Sequence, residues 1–397
     1  MKTDSRLHVM HLLYRFSSGG LENVVTQLIN GLPQDRFRHT LVALTEVDAV
    51  YRSRIEVPGV QCIALDKQPG GPIPYWPQVW RLFRAQAPDV LHSCNLAALD
   101  FAPMAALARV PRRIHAEHGW DVSDPGGSNL RNRRNRRLMA PFVQDFVAVS
   151  DQVHDYLRDA IQVPPHRIHL ITNGVDTERF RPPRPGEAWP ADLPFRQGEH
   201  LLVGTVGRMD PVKDQARLVA AFAELQHLDD EACRRARLVL VGEGPLRQAL
   251  GEQVAQLGLQ DRVCFAGQRQ DVPAVLRALD VFVLNSVTEG TSCALQEALA
   301  TGMGIVATTV GGNAAVLGEG SAGLLVPPSD TPALVQGLRQ ALNRQLDAAA
   351  RQAQQTAARE RALQAYSLQA MLGHYEHLFT RPAGARARPV QKVQVQR

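Results

Sequence analysis

The apolar positions of this chain fall into short runs that alternate with amphipathic stretches of helical length. Short apolar runs bounded by polar turns are typical of buried parallel strands, whereas apolar spacings of three and four predict helices. In the first half, the pattern predicts strands at residues 7–13, 39–44, 60–65, 89–92, 112–115, 145–149 and 167–171. It predicts the intervening helices at residues 21–30, 75–85, 96–108 and 153–160.

A second series of the same kind follows residues 176–200, whose proline-rich composition is typical of a linker. This series predicts strands at residues 201–206, 236–241, 263–266, 280–284 and 305–308, and helices at 216–225, 245–257, 332–342 and 348–362. Repeated strand–helix units form parallel sheets covered by helices, so we expect an α/β fold with domains at residues 1–175 and 201–365. Ligands of such sheets bind beyond the carboxyl ends of the strands.

One amphipathic segment, at residues 366–380, lies outside both series. Met371, Tyr375, Leu378 and Phe379 recur there at helical spacing, which predicts a helix from residue 368 to residue 380. The apolar face of that helix has to be buried against a domain, because it would otherwise remain in water.

The stretch at residues 283–312 has the order strand, polar loop, helix and second strand. Ser292 is placed to cap the helix, which we expect to end at Gly302. A helix that begins just after a strand presents free N–H groups and the positive end of its dipole. The sequence therefore predicts an anion site at Gly290, Thr291 and Ser292.

Two glutamates frame this predicted anion site. Glu289 lies in the loop, and Glu297 lies eight residues later, about 12 Å along a helix axis. Carboxylates repel phosphate but accept hydrogen bonds from hydroxyls, so the spacing suits a sugar at Glu289 and a ribose at Glu297, on the two sides of a diphosphate. The alternative is that Glu297 is a solvated helix residue and Glu289 a favourable acid near the helix dipole.

Net charge narrows the partners that the chain can have. The 397 residues carry a net charge of +5, and the acid-free segment 381–397 holds five basic residues that account for the whole excess. A second basic cluster comprises Arg131, Arg133, Arg134, Arg136 and Arg137. Neither cluster has the aromatics or the motif of a nucleic-acid-binding protein. We expect a disordered tail, with contact to an anionic membrane as the alternative.

Cysteine usage and hydropathy indicate the compartment. The five cysteines are scattered without a CxxC pair, which is typical of reduced thiols. No apolar run approaches the roughly 20 residues of a membrane span, and the first residues lack a signal-peptide core. We therefore expect a cytoplasmic protein, with peripheral contact at the inner membrane face as a further expectation.

Two more segments carry candidate chemistry. Arg208 and Lys213 follow the first strand of the second domain, where together they can take the charges of a leaving diphosphate. Cations are unfavourable at a helix start unless an anion binds there. In the first domain, Gly19 and Gly20 precede a helix, where backbone amides can approach a ligand closely. The alternative for these glycines is a simple strand–helix connection.

Taken together, these motifs resemble the retaining glycosyltransferases of family 4, which have the GT-B fold. The resemblance covers residues 7–379 and rests on SSGGLE, EHGWD, NGVDTERF, VGRMDPVKD, LVGEGP, the two-glutamate stretch and YSLQAMLGHYEHLF. A looser similarity, in YRFSSGGLEN, ALTEV, NLAALD and HAEHGWDV, is to sugar transferases of bacterial exopolysaccharide and PEP-CTERM systems. The resemblance implies two Rossmann-like domains whose parallel sheets face an interdomain cleft, with the last helix crossing back onto the first domain.

The resemblance also implies catalytic roles. Glu289 matches the glutamate that contacts the donor sugar, and Arg208 and Lys213 match the pair that binds its diphosphate. His118 matches a histidine that hydrogen-bonds a sugar hydroxyl and helps to position it.

Further positions match the nucleotide side of the family site. Gly242 and Glu243 resemble the loop near the nucleotide, and Arg269 begins the segment that resembles the one beside the base. Glu117 and Asp121 are candidate groups for the acceptor side.

This chain departs from the family pattern at three places. Thr291 and Ser292 stand where Phe-Gly is common, which leaves the identity of the donor sugar open. Gly304 replaces a frequent proline, and Ala315 stands where a glutamate is frequent.

The activity implied is transfer of a sugar from a UDP- or GDP-linked donor to a hydroxyl of a glycan or polyprenyl-linked acceptor. We expect no cofactor and no metal ion, because no loop of the chain carries a DxD triplet. The alternatives are a nucleotide-sugar epimerase or phosphorylase of the same fold, a NAD-dependent dehydrogenase and a non-catalytic sugar- or lipid-binding module. The dehydrogenase is disfavoured, because SSGGLEN stands where a GxGxxG turn is required.

Overall fold

In the computed structural model, which describes residues 4–17, 19–119, 124–187, 189–195 and 198–381, the chain forms two compact units. The first unit takes in the described residues up to Asn173 and those from Gln369 onward. The second unit is Gly174–Leu368. Both are α/β structures in which all strands pair in parallel.

Seven strands build the sheet of the first unit: β1 (Leu7–Leu13), β2 (Phe37–Ala43), β3 (Gln61–Ala64), β4 (Val90–Cys94), β5 (Arg112–Glu117), β6 (Asp145–Ala148) and β7 (Ile168–Leu170). Their order is β3-β2-β1-β4-β5-β6-β7. The direction of winding reverses between β1 and β4, and such a reversal opens a crevice at the carboxyl ends of the strands.

The helices of the first unit are α1 (Gly20–Gly31), α2 (Ala49–Arg52), α3 (Trp76–Gln86), α4 (Asn95–Leu99), α5 (Ala102–Leu107), α6 (Leu130–Met139) and α7 (Asp151–Asp155). A π-helical turn, Tyr156–Ala160, continues α7, and 3₁₀ turns occur at Ile73–Tyr75, Pro125–Gly127, Ala140–Phe142 and Pro165–Arg167. The single helix predicted at residues 96–108 is two helices. Pro103 stands at the start of α5, because a proline has no N–H to continue a preceding helix.

Six strands build the sheet of the second unit: β8 (Leu201–Val206), β9 (Ala236–Val241), β10 (Val263–Gly267), β11 (Val281–Leu284), β12 (Gly304–Thr308) and β13 (Leu324–Val326). Their order is β10-β9-β8-β11-β12-β13. The helices are α8 (Gln215–Gln226), α9 (Glu231–Arg235), α10 (Arg247–Gln256), α11 (Val272–Ala278), α12 (Cys293–Thr301), α13 (Asn313–Val316), α14 (Thr331–Leu346) and α15 (Ala348–Ala365). An apolar core lies on each face of this sheet, as expected of a parallel sheet covered on both sides.

The segment 176–200 differs from the linker that its prolines predicted. Its described residues belong to the second unit, and Phe180, Leu193 and Phe195 are buried in that unit's core. Arg359 of α15 donates hydrogen bonds to the carbonyls of Thr177 and Phe180. Burial of the apolar side chains between the prolines lowers the free energy of the folded state. The segment is therefore packed against the second unit rather than left as a flexible linker.

The last helix, α16 (Leu368–Thr380), lies on the sheet of the first unit. Tyr375 and Phe379 are buried, and their rings contact the imidazole of His92 at centroid distances of 5.4 and 5.7 Å. Leu372 packs against Gly31, where a Cβ atom would come within 2.5 Å of the leucine side chain. The apolar face predicted from the sequence is therefore the face that is buried.

Arg381, which was assigned to the basic tail, is part of the folded first unit. Its guanidinium lies 3.6 Å from the carboxylate of Asp145, and its carbonyl accepts a hydrogen bond from Arg112. Only a tenth of its side chain is exposed. The remainder of the predicted tail, residues 382–397, lies outside the described residues.

A row of three histidines crosses the sheet beneath α16. His11 Nδ1 lies 3.0 Å from His92 Nδ1, and His11 Nε2 lies 3.0 Å from His39 Nδ1. The parallel register of β2, β1 and β4 sets His11 directly beside His92 and aligns His39 with Val9. Burial lowers the pKa of His39 to about 4 and that of His92 to about 3, and it lowers the pKa of His11 as well. The row is therefore a chain of neutral imidazoles, and each of the two short contacts is an N–H···N hydrogen bond.

Candidate active site

In the second unit, the loops that follow β8 and β11 are joined at the carboxyl ends of these neighbouring strands. The backbone N–H of Val287 donates to the carbonyl of Val212 at 2.9 Å, and the amide of Asn285 donates to the carbonyl of Asp214. Ligands of parallel sheets bind at this end, so the two loops form the floor of a candidate site.

Lys213 and Glu289, predicted from separate motifs, form a direct ion pair between these loops. The Nζ atom of Lys213 contacts Oε1 of Glu289, which also accepts a 2.6 Å hydrogen bond from the hydroxyl of Ser286. The Glu289 side chain is 11% exposed. A largely buried carboxylate held by an ammonium and a hydroxyl has a fixed orientation, which suits a group that positions a substrate.

Arg208, on the same β8 loop as Lys213, has an accessible guanidinium. Its side chain is 49% exposed, and the nearest carboxylate in an ion pair with it, that of Asp210, is 4.0 Å away. Asp210 in turn accepts hydrogen bonds from the N–H groups of Val212 and Lys213 at 3.1 and 3.3 Å. This turn fixes the backbone of Lys213, while Arg208 remains accessible to an anion.

Glycines bring neighbouring loops into contact with the site. Gly311 has a φ of +54°, and a Cβ atom there would lie 1.9 Å from the carbonyl oxygen of Glu289. The N–H of Gly312 donates to the carbonyl of Gly290 at 2.8 Å. The glycine pair after β12 thus holds the turn that carries Glu289.

The predicted nucleotide loop is built in the same way. Gly242 has a φ of +131°, and a Cβ atom there would lie 2.0 Å from the carbonyl oxygen of Gly207. The carbonyl of Glu243 accepts a hydrogen bond from Met209 N–H at 2.9 Å, and the Glu243 side chain is exposed. The GxG spacing therefore reflects close packing against the Arg208 loop.

Helix α12 begins where the sequence predicted. The hydroxyl of Ser292 caps it by accepting from the N–H of Leu295, and Thr291 precedes the cap. Glu297 is half-buried on the second turn of this helix, and its carbonyl accepts a hydrogen bond from the hydroxyl of Thr301. The turn at Gly290 thus leads directly from Glu289 to the helix N-terminus.

Arg269 is engaged differently from the expected contact beside the base. Its guanidinium pairs with the carboxylates of Asp192 and Asp271, and its side chain is 13% exposed. These bonds anchor the segment before β8 to the loop after β10. The two carboxylates hold the guanidinium in place, and a nucleotide contact by Arg269 stays a prediction.

In the first unit, His118 follows β5 and has an unsatisfied ring. Its backbone N–H donates to Oδ1 of Asn95, 2.8 Å away, which follows β4 and has a φ of +59°. Both ring nitrogens are buried, and neither has a partner among the described residues, which omit the adjoining positions 120–123. Burial lowers the pKa of His118 to about 4, so the neutral ring can donate one hydrogen bond and accept another.

Glu117 is not a free acceptor-side group. Its Oε1 atom accepts hydrogen bonds from Arg136 at 2.6 Å and from His115 at 3.3 Å, and all three side chains are buried. Burial opposes ionisation, but the Arg136 guanidinium and His115 hold the pKa of Glu117 at about 2. Glu117 and Arg136 thus form a buried ion pair, and Glu117 directly precedes His118 in the chain. Asp121 lies outside the described residues.

At the predicted ligand loop, Gly19 and Gly20 are exposed, and the carboxylate of Glu22 lies close to Gly19. Gly19 precedes α1 in an extended conformation, and a Cβ atom there would lie 2.1 Å from Oε2 of Glu22. Gly20 is the first residue of α1. This arrangement is the one expected of a first-turn acid at a helix start.

Two site residues were not predicted from the sequence. Ser286 and Asn95 each come within two residues of a strand end, Leu284 of β11 and Cys94 of β4. That position was the available signal, since polar residues there face the ligand edge of a parallel sheet. Within the described residues, no three His, Cys, Asp or Glu side chains are arranged to hold a metal ion.

Comparison with known proteins places this geometry in a family context. The model described as "Glycosyltransferase Family 4" matches residues 18–179, and the one described as "Glycosyl transferases group 1" matches residues 200–344. EpsF of Bacillus subtilis (strain 168), named as a glycosyltransferase, is 27% identical over 75% of this chain and 78% of its own length. The UDP-Gal:alpha-D-GlcNAc-diphosphoundecaprenol alpha-1,3-galactosyltransferase of Escherichia coli is 25% identical over 85% of this chain and 88% of its own.

A solved structure has the same fold. HepE of Anabaena, in complex with UDP-glucose, superimposes with a TM-score of 0.75 over 94% of this chain and 99% of its own, at 21% identity. Together, the two family models span both units.

Proposed function

The chain belongs to the family 4 glycosyltransferases, which have the GT-B fold, and we propose that it is a retaining enzyme using a UDP- or GDP-sugar. Transfer of a sugar from a nucleotide-sugar to an acceptor is the activity that family membership gives it. The finer assignment concerns stereochemistry, donor and acceptor. The observation that carries it is the Lys213–Glu289 ion pair, together with the accessible guanidinium of Arg208 on the same loop as Lys213.

The arrangement supports a mechanism without a covalent enzyme intermediate. Glu289 is held by Lys213 and Ser286, so its role is to accept a hydrogen bond from the donor sugar. The acceptor oxygen bonds to the anomeric carbon as the bond to the diphosphate breaks, and the departing phosphate oxygen takes the acceptor proton. Arg208, Lys213 and the N-terminus of α12 stabilise the charge that develops on the diphosphate.

A lipid-linked acceptor in surface-glycan or exopolysaccharide synthesis fits the relatives. The Escherichia coli relative is named for a diphosphoundecaprenol-linked acceptor and a UDP-sugar, and HepE was solved with UDP-glucose. Within the described residues, no helix is long and apolar enough to cross a membrane. We propose a polyprenyl diphosphate-linked glycan as the acceptor.

A donor panel tests the proposal. Saturating UDP-, GDP- and ADP-sugars are compared by thermal shift, since a ligand that binds the native state raises its stability by RT ln(1 + [L]/Kd). The nucleotide-sugar that raises the thermal midpoint of the protein is then incubated with the enzyme and a polyprenyl diphosphate-linked acceptor. The anomeric configuration of the product is measured by NMR. Retention supports the proposal. Inversion, or epimerisation of the donor without transfer, overturns it.

Substitutions of the two glutamates should affect different constants, the Kd for the nucleotide in one case and kcat in the other. Glu297→Gln is expected to raise the Kd for the nucleotide if Glu297 holds the ribose, because that contact is present in ground and transition states alike. Glu289→Gln is expected to lower kcat with little change in KM, because its sugar contact tightens as the bond breaks. Calorimetry with the nucleoside diphosphate and steady-state kinetics separate these effects. Purely binding effects of equal size would contradict the distinction.

A further inference from the structure

Helix α6 exposes leucines among arginines on one face. Leu130 is 77% exposed and Leu138 is 57% exposed, and Arg134 lies between them at spacings of four residues. Residues four apart lie on the same side of a helix, so these three form one stripe. Arg131 and Arg137 are exposed at the margins of the stripe, and exposed Phe142 follows the helix.

The charge on this face is uniformly positive. Helix α6 contains no acidic residue, and the structure pairs neither Arg131 nor Arg134 with a carboxylate of the described residues. Arg137 donates only to the carbonyl of Ala160.

Other charged side chains on or near α6 form ion pairs with their own partners. Arg136 points inward to Glu117, which removes it from the surface cluster predicted from the sequence. On the adjoining segment, Asp155 and Asp159 are paired with Arg158.

We propose that this surface, comprising Leu130, Arg131, Arg134, Arg137, Leu138 and Phe142 and called here the α6 face, docks on a bilayer of anionic phospholipid. Arginine guanidinium groups bind lipid phosphates, and leucine and phenylalanine side chains enter the boundary between headgroups and acyl chains. The ten residues of α6 span about 15 Å, too short to cross a bilayer, so the helix lies along the surface.

The composition of the α6 face favours a membrane over a protein partner. A protein interface core is depleted of charge, whereas basic residues interleaved with exposed apolar ones are typical of interfacial helices. The inference rests on the proposed function in one respect, that docking would bring the enzyme to a lipid-linked acceptor.

Charge and apolar insertion should contribute separately. An arginine near an anionic surface strengthens binding about fivefold, so Arg131→Gln, Arg134→Gln and Arg137→Gln together should weaken it roughly 100-fold. Leu130→Ser with Leu138→Ser should weaken it roughly tenfold, since the leucines enter only the boundary region. The charge-dependent part should fall as salt is raised.

The test is cosedimentation of the full chain with vesicles, without donor or acceptor, so that it is independent of the transfer reaction. Phosphatidylglycerol–phosphatidylcholine vesicles are compared with vesicles of phosphatidylcholine alone. The matched control replaces exposed arginines elsewhere on the first unit: Arg81→Gln, Arg84→Gln and Arg109→Gln. A chain that ends at Arg381 separates the contribution of residues 382–397.

The expected result is binding to anionic vesicles that both sets of α6 substitutions reduce and the control does not, and that the shortened chain retains in part. Three results would overturn the proposal: no binding to anionic vesicles, α6 variants that bind like the wild type, or an equal loss in the control. Unchanged thermal midpoints establish that the variants are folded.

Discussion

Lys213→Ala should lower kcat by roughly 10³-fold and Arg208→Ala by roughly 10²-fold, within the range found when one donor to a developing charge is removed. The difference follows from the ion pair. Removing Lys213 deletes a cation and also leaves the buried carboxylate of Glu289 without its counter-charge beside the departing diphosphate. Removing Arg208 deletes a half-exposed guanidinium and leaves no carboxylate buried without a partner.

Steady-state rates with the donor found by thermal shift measure this effect. Arg234→Ala, at an exposed ion pair with Asp229 in the same unit, is the matched control and should leave kcat unchanged. The wild type should keep its full rate in excess EDTA. Losses below tenfold, or a rate that collapses with chelator and returns with Mg²⁺ or Mn²⁺, would show that other groups stabilise the diphosphate.

The first unit should lose stability steeply as the pH falls from 6.5 towards 4. The folded-state pKa values of His39, at about 4, and His92, at about 3, lie below the unfolded value of 6.5, and that of His11 is also lowered. Below pH 6.5 the unfolded chain therefore binds protons that the native row excludes, so stability is complete above pH 6.5 and declines below it. At pH 5 the lowered pKa values of His39 and His92 each cost about 2 kcal/mol of stability.

The titratable groups around the histidine row do not reverse this loss of stability in acid. His8, His115 and His118 lower the pKa values of the row by like-charge repulsion. Burial raises the pKa of Tyr375 and that of Cys94 well above their usual ranges, so both stay neutral in acid. His39 and His92 together cost about 4 kcal/mol at pH 5, a large part of a typical domain's stability of about 5–15 kcal/mol, and His11 acts in the same direction.

The stability of the second unit should rise, not fall, as the pH is lowered through part of this range. Burial raises the pKa of Asp280 to about 6, from an unfolded value of 3.8. Between these values the native state binds a proton that the unfolded state does not, so acid stabilises this unit by about 1 kcal/mol at pH 5.

Hydrogen exchange followed by mass spectrometry, at pH 7.5 and pH 5 and corrected for intrinsic rates, resolves the two units. Strands β1, β2 and β4 should lose protection while β8 and β11 keep theirs. Replacing His11, His39 and His92 together by leucine should flatten the acid response, whereas His166→Gln at an exposed site should not. Equal loss of protection in both units would contradict the assignment.

The sequence pattern correctly predicted helix bounds and caps, because these depend on residues that are close together along the chain. Helix α16 has the predicted bounds, because four apolar residues at helical spacing define its buried face. Helix α12 begins after Ser292 because a serine hydroxyl caps a helix wherever the chain enters one. The resemblance to family 4 was confirmed by the family models, and the fold by solved structures.

What depends on distant partners was not accessible from the sequence. Arg269, Arg136 and Arg381 looked solvated or ligand-binding because their carboxylate partners lie 77, 19 and 236 residues away in sequence. A histidine on each of β1, β2 and β4 carries no signal until the folded sheet brings their rings into contact. The prolines of residues 176–200 indicated a linker, and only the packed core shows that Phe180 and Phe195 are buried.

The position of α16 has a consequence for synthesis of the chain on the ribosome. The residues up to Asn173 are synthesised before the second unit, yet Tyr375 and Phe379, which contact His92, lie on a helix that ends at Thr380. Domains generally fold as they are synthesised, amino-terminal first, but this one stays incomplete until residue 380 has been translated. Its nascent form presents bare imidazoles and apolar surface throughout synthesis of the second unit, and is the stage at which chaperones should bind. A premature stop codon shortly before residue 369 would leave the second unit intact and damage the one made earliest.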